Sequence, residues 1–191
     1  MKYKTIVIDP PWKLALFSPK TLKHDFGWLG QTLPYAIMTD EEIANFDVQQ
    51  FADTECDLFL WTTKSKLHPA LHILEKWGFK YTNFMAWNKR DGLNNNGFHN
   101  ILEFVLYGYK GKSGLDYTNP IDTYFEAKRL KHSQKPDKFY SMIAKVTKEP
   151  RIDIFARKRH FGFDAYGDQV EKQMQVPLAL LLEKNNAVNR Q

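Results

Sequence analysis

Apolar positions along this chain fall into short unbroken runs and a few helical stripes, and the two patterns take turns. Residues 3–8, Tyr-Lys-Thr-Ile-Val-Ile, are β-branched and apolar without polar alternation, as in a strand covered on both faces of a sheet. Asp9-Pro10-Pro11 ends the run, because proline has no N–H to give to a ladder. Residues 13–37 keep no period and contain Pro19, Gly27, Gly30 and Pro34, so they read as a long loop carrying Phe17, Phe26, Trp28 and Tyr35. Thr39 with Glu42 three residues later predicts a capping box that opens a short helix, with Ile43, Phe46 and Val48 inward.

Residues 57–62 predict a second buried strand. Leu67, Leu71, Leu74 and Trp77 recur at three and four, predicting a helix over Ser65–Trp77 that Gly78 closes. A strand over Phe79–Trp87, a loop over 89–100 and a strand over 101–109 follow. Residues 110–127 read as a loop, Pro136–Lys148 as a helix with Phe139, Ile143 and Val146 inward, and 151–156 as a strand. The glycine-bearing stretch after Arg157 reads as a loop. Leu178–Leu182 reads as a covering helix or a partner contact, and the polar residues beyond about 184 as a frayed end. Strand, helix and strand followed by further strands predict one α/β domain over residues 1–191, a sheet with helical cover.

At 191 residues the chain has room for one domain with a real core. No run approaches the roughly 20 apolar residues that cross a bilayer, so no membrane partner is expected. The opening residues lack a signal peptide's apolar core, and cytoplasmic residence is the expectation. A single cysteine, Cys56, excludes an intramolecular disulfide and reads as a small buried residue. His68 and His72 are four apart without a carboxylate to complete a metal motif, and no metal is expected. Of 27 basic and 22 acidic residues, the first 95 positions hold 11 of each, so the whole excess lies in the second half. That local positive field suits a polyanion, and suits a solubilising surface equally well.

Candidate chemistry concentrates at Asp9-Pro10-Pro11-Trp12. In open sheets with parallel strands, ligands bind beyond the carboxyl ends of the strands, where this segment would lie. Asp9 supplies a carboxylate, the prolines fix the direction of their carbonyls, and Trp12 offers a flat apolar face. Such a set can hold a flat ring bearing an amine, or it can be a solvent-facing proline turn. Further on stand Tyr35, Met38 and Asp40-Glu41-Glu42-Ile43; Leu60-Trp61-Thr62; Trp77-Gly78-Phe79; and Trp87-Asn88-Lys89. Glu103, Leu106 and Gly108 come next, then His132-Ser133-Gln134-Lys135-Pro136. Phe155-Ala156-Arg157 with Gly162, Asp164 and Gly167 close the series. In this order, over about residues 5–170, they resemble the MT-A70 family of S-adenosylmethionine-dependent adenine-N6 methyltransferases, in its short microbial or phage-type form.

The resemblance implies an α/β fold: a Rossmann-like class I methyltransferase sheet with helices on both faces and a circularly permuted motif order. It implies methyl transfer from S-adenosylmethionine to the N6 amine of adenine. The expected substrate is DNA, single-stranded or with the base flipped from a duplex; RNA is the alternative, and a non-catalytic nucleic-acid-binding relative the second alternative. Asp9, Pro10, Pro11 and Trp12 are implied as catalytic. Asp9, Lys135, Arg157, His160, Asp168 and Gln169 are implied at the cofactor, with Lys135 reaching either the cofactor's carboxylate or the catalytic loop. Trp12, Tyr35, Lys89, His99, Asn100 and His132 are implied at the substrate. Two departures stand out: Gly167-Asp168-Gln169 where relatives carry Gly-Asn-Glu or Gly-Asn-Gln, and His99-Asn100 where relatives carry an arginine. With no room for a separate recognition domain, a homodimer is a further expectation. Trp61, Trp77 and Trp87 read as core. Glu103 interrupts an apolar strand, which argues against a plain surface position; whether it is paired with a lysine is left open by the sequence.

Overall fold

The computed structural model describes residues 1–14, 37–95, 97–129 and 134–167. Among the described residues, seven strands form one sheet: β1 (Tyr3–Ile8), β2 (Ala52–Thr62), β3 (Lys80–Asn95), β4 (Phe98–Lys110), β5 (Tyr124–Glu126), β6 (Arg151–Ile154) and β7 (Asp164–Tyr166). Their order is β5-β3-β4-β2-β1-β6-β7. β1 pairs in parallel with β2 and β6, β6 with β7, and β3 with β5; β4 runs antiparallel to both β2 and β3. Six strands therefore point one way, and their carboxyl ends share one edge. The strand order, the permutation and the helical cover are those of a Rossmann-like class I methyltransferase fold, as the resemblance implied.

The two-residue period of a strand explains why these runs are apolar throughout. Ile6, Ile8, Leu58, Leu60, Leu106, Ile152 and Ile154 face one layer, where α1 (Asp40–Ala44) and α2 (Leu67–Lys76) bring Ile43, Ala70, Ile73 and Leu74. Val7, Phe59, Trp61, Val105 and Tyr107 face the other, where α3 (Asp137–Val146) brings Phe139, Tyr140 and Ile143. Alternate residues of β1, β2 and β4 serve opposite cores, so each run needs apolar side chains at every position. Trp61, Trp77 and Trp87 are all buried, as their positions predicted. Cys56 is buried too, and burial pushes its thiol up to about 12, too high for a nucleophile.

The predicted capping box is present: Thr39 accepts from the Glu42 N–H, and Glu42 accepts from the Thr39 N–H at 2.7 Å. Segments expected as loops are in part strands. The stretch 89–100 continues β3 and β4 into a long hairpin, with Leu93 opposite Asn100 after a register shift beyond Asn88. Two local features allow this in a sequence rich in turn residues. Arg90 takes a left-handed φ of 59°, and at Gly92 the strands come so close that a Cβ would lie 2.3 Å from the Asn100 carbonyl oxygen. The expected loops 110–127 and after Arg157 likewise contain β5 and β7, three residues each and too short for a periodic signal. No helix among the described residues is long and apolar enough to cross a membrane. Leu178–Leu182 lie outside the described residues.

Candidate active site at the carboxyl edge of the sheet

β1 is where the chain's progress across the sheet reverses. From β1 it goes to the adjacent β2, passes on to β3, turns back to set β4 between β2 and β3, and reaches the outer β5 before returning to β6 on the opposite side of β1. Such a reversal opens a crevice between the diverging strand ends, here after Ile8 and Ile154. Asp9 follows one strand and Phe155 the other, and both line a cleft with Lys135, Asp153, Arg157 and His160.

The Asp9-Pro10-Pro11-Trp12 turn is held on several sides. The Asp9 N–H donates to the Ile154 carbonyl at 3.2 Å, and the Trp12 N–H to the Pro10 carbonyl at 2.8 Å. Pro11, which has no N–H, accepts from the Met38 N–H at 2.8 Å, and the Lys13 N–H returns to the Met38 carbonyl. The Trp12 indole N–H donates to the Trp61 carbonyl at 3.0 Å, and its ring packs among Met38, Ile43 and Leu60 in one core layer. Trp12 thus braces the turn from below. The Pro10 carbonyl spends one lone pair on Trp12 and keeps a second.

Asp9 is 8% exposed and forms one end of an ion-pair chain. Lys135 Nζ lies 3.2 Å from Asp9 Oδ1 and 3.0 Å from Glu103 Oε2, and Lys89 Nζ lies 3.3 Å from Glu103 Oε1. The Lys135 ammonium also stands 4.9 Å above the Trp61 ring. Burial raises the Asp9 carboxyl above its ordinary value, against the pull of Lys135 and Arg157. Burial opposes the charge of Lys135 as well, but two carboxylates raise its pKa. Burial works against Glu103 too, yet Lys135 and Lys89 hold it down at about 2. The stable arrangement is a cationic Lys135 shared between an anionic Glu103 and the softer acid Asp9. Of the two places implied for Lys135, the structure shows contact with the Asp9 turn. Glu103 is partly buried, and the pairing that its strand position left open is to two lysines, Lys135 and Lys89.

Asp153 and Tyr140 were not singled out in the sequence. Asp153 is 2% exposed; the Tyr140 hydroxyl donates to its Oδ2 at 2.8 Å, while Oδ1 is buried without a hydrogen-bond partner among the described residues. Burial, with Asp9 nearby, pushes the Asp153 carboxyl well above its ordinary range. His160 stacks on the Tyr140 ring, centroids 3.3 Å apart and planes 11° from parallel. Its Nδ1 lies 2.8 Å from Asp137 Oδ1. Asp137 is held below the usual carboxylate range, chiefly by Lys158, so it accepts and His160 Nδ1 carries the proton. Burial lowers the His160 pKa to about 4. The signal for Asp153 was present: an aspartate inside Arg-Ile-Asp-Ile interrupts a buried strand just as Glu103 does.

The remaining implied residues fall in two groups. Lys89 belongs to the ion-pair chain. His99 and Asn100 sit on the long hairpin, His99 Nε2 at 3.1 Å from the Gly92 carbonyl oxygen and Asn100 Oδ1 accepting from Lys64 Nζ. Neither joins the cleft lining beside Asp9. Tyr35, His132, Asp168 and Gln169 lie outside the described residues. S-adenosylmethionine carries an ammonium, a carboxylate and a sulfonium. The cleft offers an orphaned carboxylate oxygen on Asp153 for an ammonium and a guanidinium on Arg157 for a carboxylate, so its donor set fits that group. No group of three or more metal-ligating side chains occurs among the described residues.

Comparison with known proteins agrees with this geometry. The chain is 27% identical to the type II methyltransferase M.MunI of Mycoplasma sp over 96% of its own length and 85% of that protein. It is 27% identical to a putative N(6)-adenosine-methyltransferase MT-A70-like protein of Medicago truncatula, over 88% of this chain and 26% of that one. It is 26% identical to the human N(6)-adenosine-methyltransferase catalytic subunit METTL3, over 82% of this chain and 26% of that one. The chain thus spans about a quarter of the plant and human relatives. The family model MT-A70 matches residues 3–169, and this chain belongs to the MT-A70 family of S-adenosylmethionine-dependent adenine-N6 methyltransferases.

Proposed function

We propose that this chain methylates the N6 amine of adenine in an unpaired stretch of polynucleotide, with Asp9 as the catalytic residue. The observation that carries the reading is the placing of Asp9: a buried carboxylate on a pinned turn, at the crevice where the sheet's order reverses. An exocyclic amine conjugated to a purine ring is a poor nucleophile, because its lone pair is spread into the ring. Asp9 accepts a hydrogen bond from that amine, and the free lone pair of the Pro10 carbonyl accepts a second. Both bonds strengthen as positive charge grows on nitrogen, so they favour the transition state over the ground state. Burial sharpens this preference, since little water screens the carboxylate. Bound S-adenosylmethionine supplies an electrophilic methyl group on its sulfonium. Asp9 need not act as a strong base: the amine becomes acidic only as it is alkylated, and water can take the proton afterwards. Asp153 and Arg157 would hold the amino-acid end of the cofactor, and Asp168 and Gln169 are proposed for its ribose and adenine.

The polymer is a finer proposal. RNA is favoured by the plant and human relatives, whose names specify adenosine. DNA, the expectation from the sequence, is the second reading; the like size of M.MunI, of which the chain covers 85%, supports it. The test presents RNA, single-stranded DNA and duplex DNA of one sequence with methyl-labelled cofactor, then identifies the nucleoside. N6-methyladenosine in RNA at the highest rate is the expected result. Transfer confined to DNA establishes the second reading, and transfer to no polymer overturns the proposal.

A further inference from the structure

The loop between β6 and β7 presents one side chain in a way that packing does not account for. Phe161 is fully exposed, although its neighbours on either side are fixed. His160 is 6% exposed, stacked on Tyr140 and bonded to Asp137. Phe163 is buried at 8% and meets the same Tyr140 ring edge-on, centroids 5.3 Å apart. The Phe163 N–H donates to the His160 carbonyl at 3.2 Å, closing a turn with Gly162 at φ 78°, a conformation that favours glycine. Both feet of the turn therefore stand on one aromatic pedestal, and Phe161 is at the apex. A lone exposed phenylalanine is ordinary on a protein surface. This one differs in standing on a backbone turn fixed at both ends, next in sequence to a residue that lines the Asp9 cleft.

The surroundings select the occupant. Arg157 lines that cleft; Lys158 pairs with Asp137 at 2.8 Å; Arg159 is exposed and forms no ion pair among the described residues. An aromatic face beside cations is the pairing that holds single-stranded nucleic acid, bases stacking on the ring while cations follow the phosphates. A phenylalanine on a fixed turn has only two side-chain torsions to order on binding, a small entropic cost. We propose that Phe161 is a stacking platform for a base next to the target adenine, with Arg159 on the adjoining phosphate, so that the strand is held while the target enters the cleft. This rests on the polynucleotide reading and adds to it the residue that grips the strand outside the reacting centre.

The test is binding of a fluorescent twelve-nucleotide single strand, as RNA and as DNA, to the whole chain and to Phe161→Ala, Phe161→Leu and Phe161→Tyr. Calorimetric titration with S-adenosylhomocysteine runs beside it. Phe161→Ala and Phe161→Leu should each bind the strand about tenfold more weakly, and Phe161→Tyr should restore it. Affinity for S-adenosylhomocysteine should not change in any variant. Arg159→Gln should reduce the dependence of binding on salt by about one phosphate contact. Wild-type binding equalled by Phe161→Ala overturns this inference and leaves the functional reading standing. Loss of S-adenosylhomocysteine affinity in Phe161→Ala overturns it too, by moving the ring to the cofactor. Failure of the wild type to bind either strand overturns both.

Discussion

Asp9 and Lys135 form an ion pair at 3.2 Å, and the same ammonium meets Glu103 at 3.0 Å, so one cation is shared between two carboxyl groups and leaves Asp9 able to accept a further hydrogen bond. Asp9→Asn keeps the shape and removes the anionic acceptor. It should lower single-turnover methyl transfer by about 10²–10³-fold, while leaving the thermal midpoint within a few degrees. Lys135→Met is a harsher change, since it leaves the buried Asp9 without its cation and Glu103 with Lys89 alone. It should cost about 3 kcal/mol of stability in urea denaturation. If Lys135→Met were as stable as the wild type, the ion-pair chain would be ornamental.

At the scale of elements, α1 matters for more than its five residues. Its capping residue Thr39 directly follows Met38, whose backbone holds both Pro11 and Lys13, so the cap and the Asp9-Pro10-Pro11-Trp12 turn form one unit. Thr39→Ala should cost about 1 kcal/mol through the lost cap, measured by denaturation, and should also slow methyl transfer by loosening the turn. The long hairpin is governed by Gly92. In Gly92→Ala a methyl would meet the Asn100 carbonyl, and amide exchange should speed up at the hairpin tip while β1 and β2 stay protected. Unchanged protection at the hairpin tip in Gly92→Ala, or equal loss in β1 and β2, would contradict this division. These elements also show what the sequence disclosed. Strand β1 and the Thr39 cap were legible, because unbroken apolar runs and a Thr-x-x-Glu spacing are local signals. The hairpin over 89–100 was hidden, because Asn, Gly and Asp are turn residues by propensity and cross-strand pairing overrode them. β5 was hidden by its brevity.

For the molecule as a whole, titration separates the groups that favour the folded state from those that strain it. His160 has a folded pKa lowered to about 4 from 6.5, so its neutral form stabilises the fold above 6.5, and this is lost as pH falls towards 4. Glu103, lowered to about 2 from 4.5, contributes above 4.5 and loses that contribution as pH falls towards 2. Asp9 and Asp153, raised by burial, act in the opposite sense, since the folded state takes their protons first. The His160 part is isolated by difference: the stability gap between wild type and His160→Gln should be larger at pH 7 than at pH 4, read from urea midpoints. A gap independent of pH would refute the neutral, buried assignment. The active-site half of this picture was only partly legible in the sequence. Motif order led to Asp9, Lys135 and Arg157, whereas Asp153 and Tyr140 meet in the cleft through folding, from separate elements that no local spacing connects.

Asp9 is proposed to promote methyl transfer to the N6 amine of adenine. A single-turnover reaction of wild type and Asp9→Asn with methyl-labelled S-adenosylmethionine and an adenine-containing single strand, followed by digestion and identification of the methylated position, tests this. The wild type should place label on N6, and Asp9→Asn should be slower by about two orders of magnitude or more at unchanged S-adenosylhomocysteine affinity. Label on a ring nitrogen or on another base, or an Asp9→Asn enzyme as fast as the wild type, would contradict it.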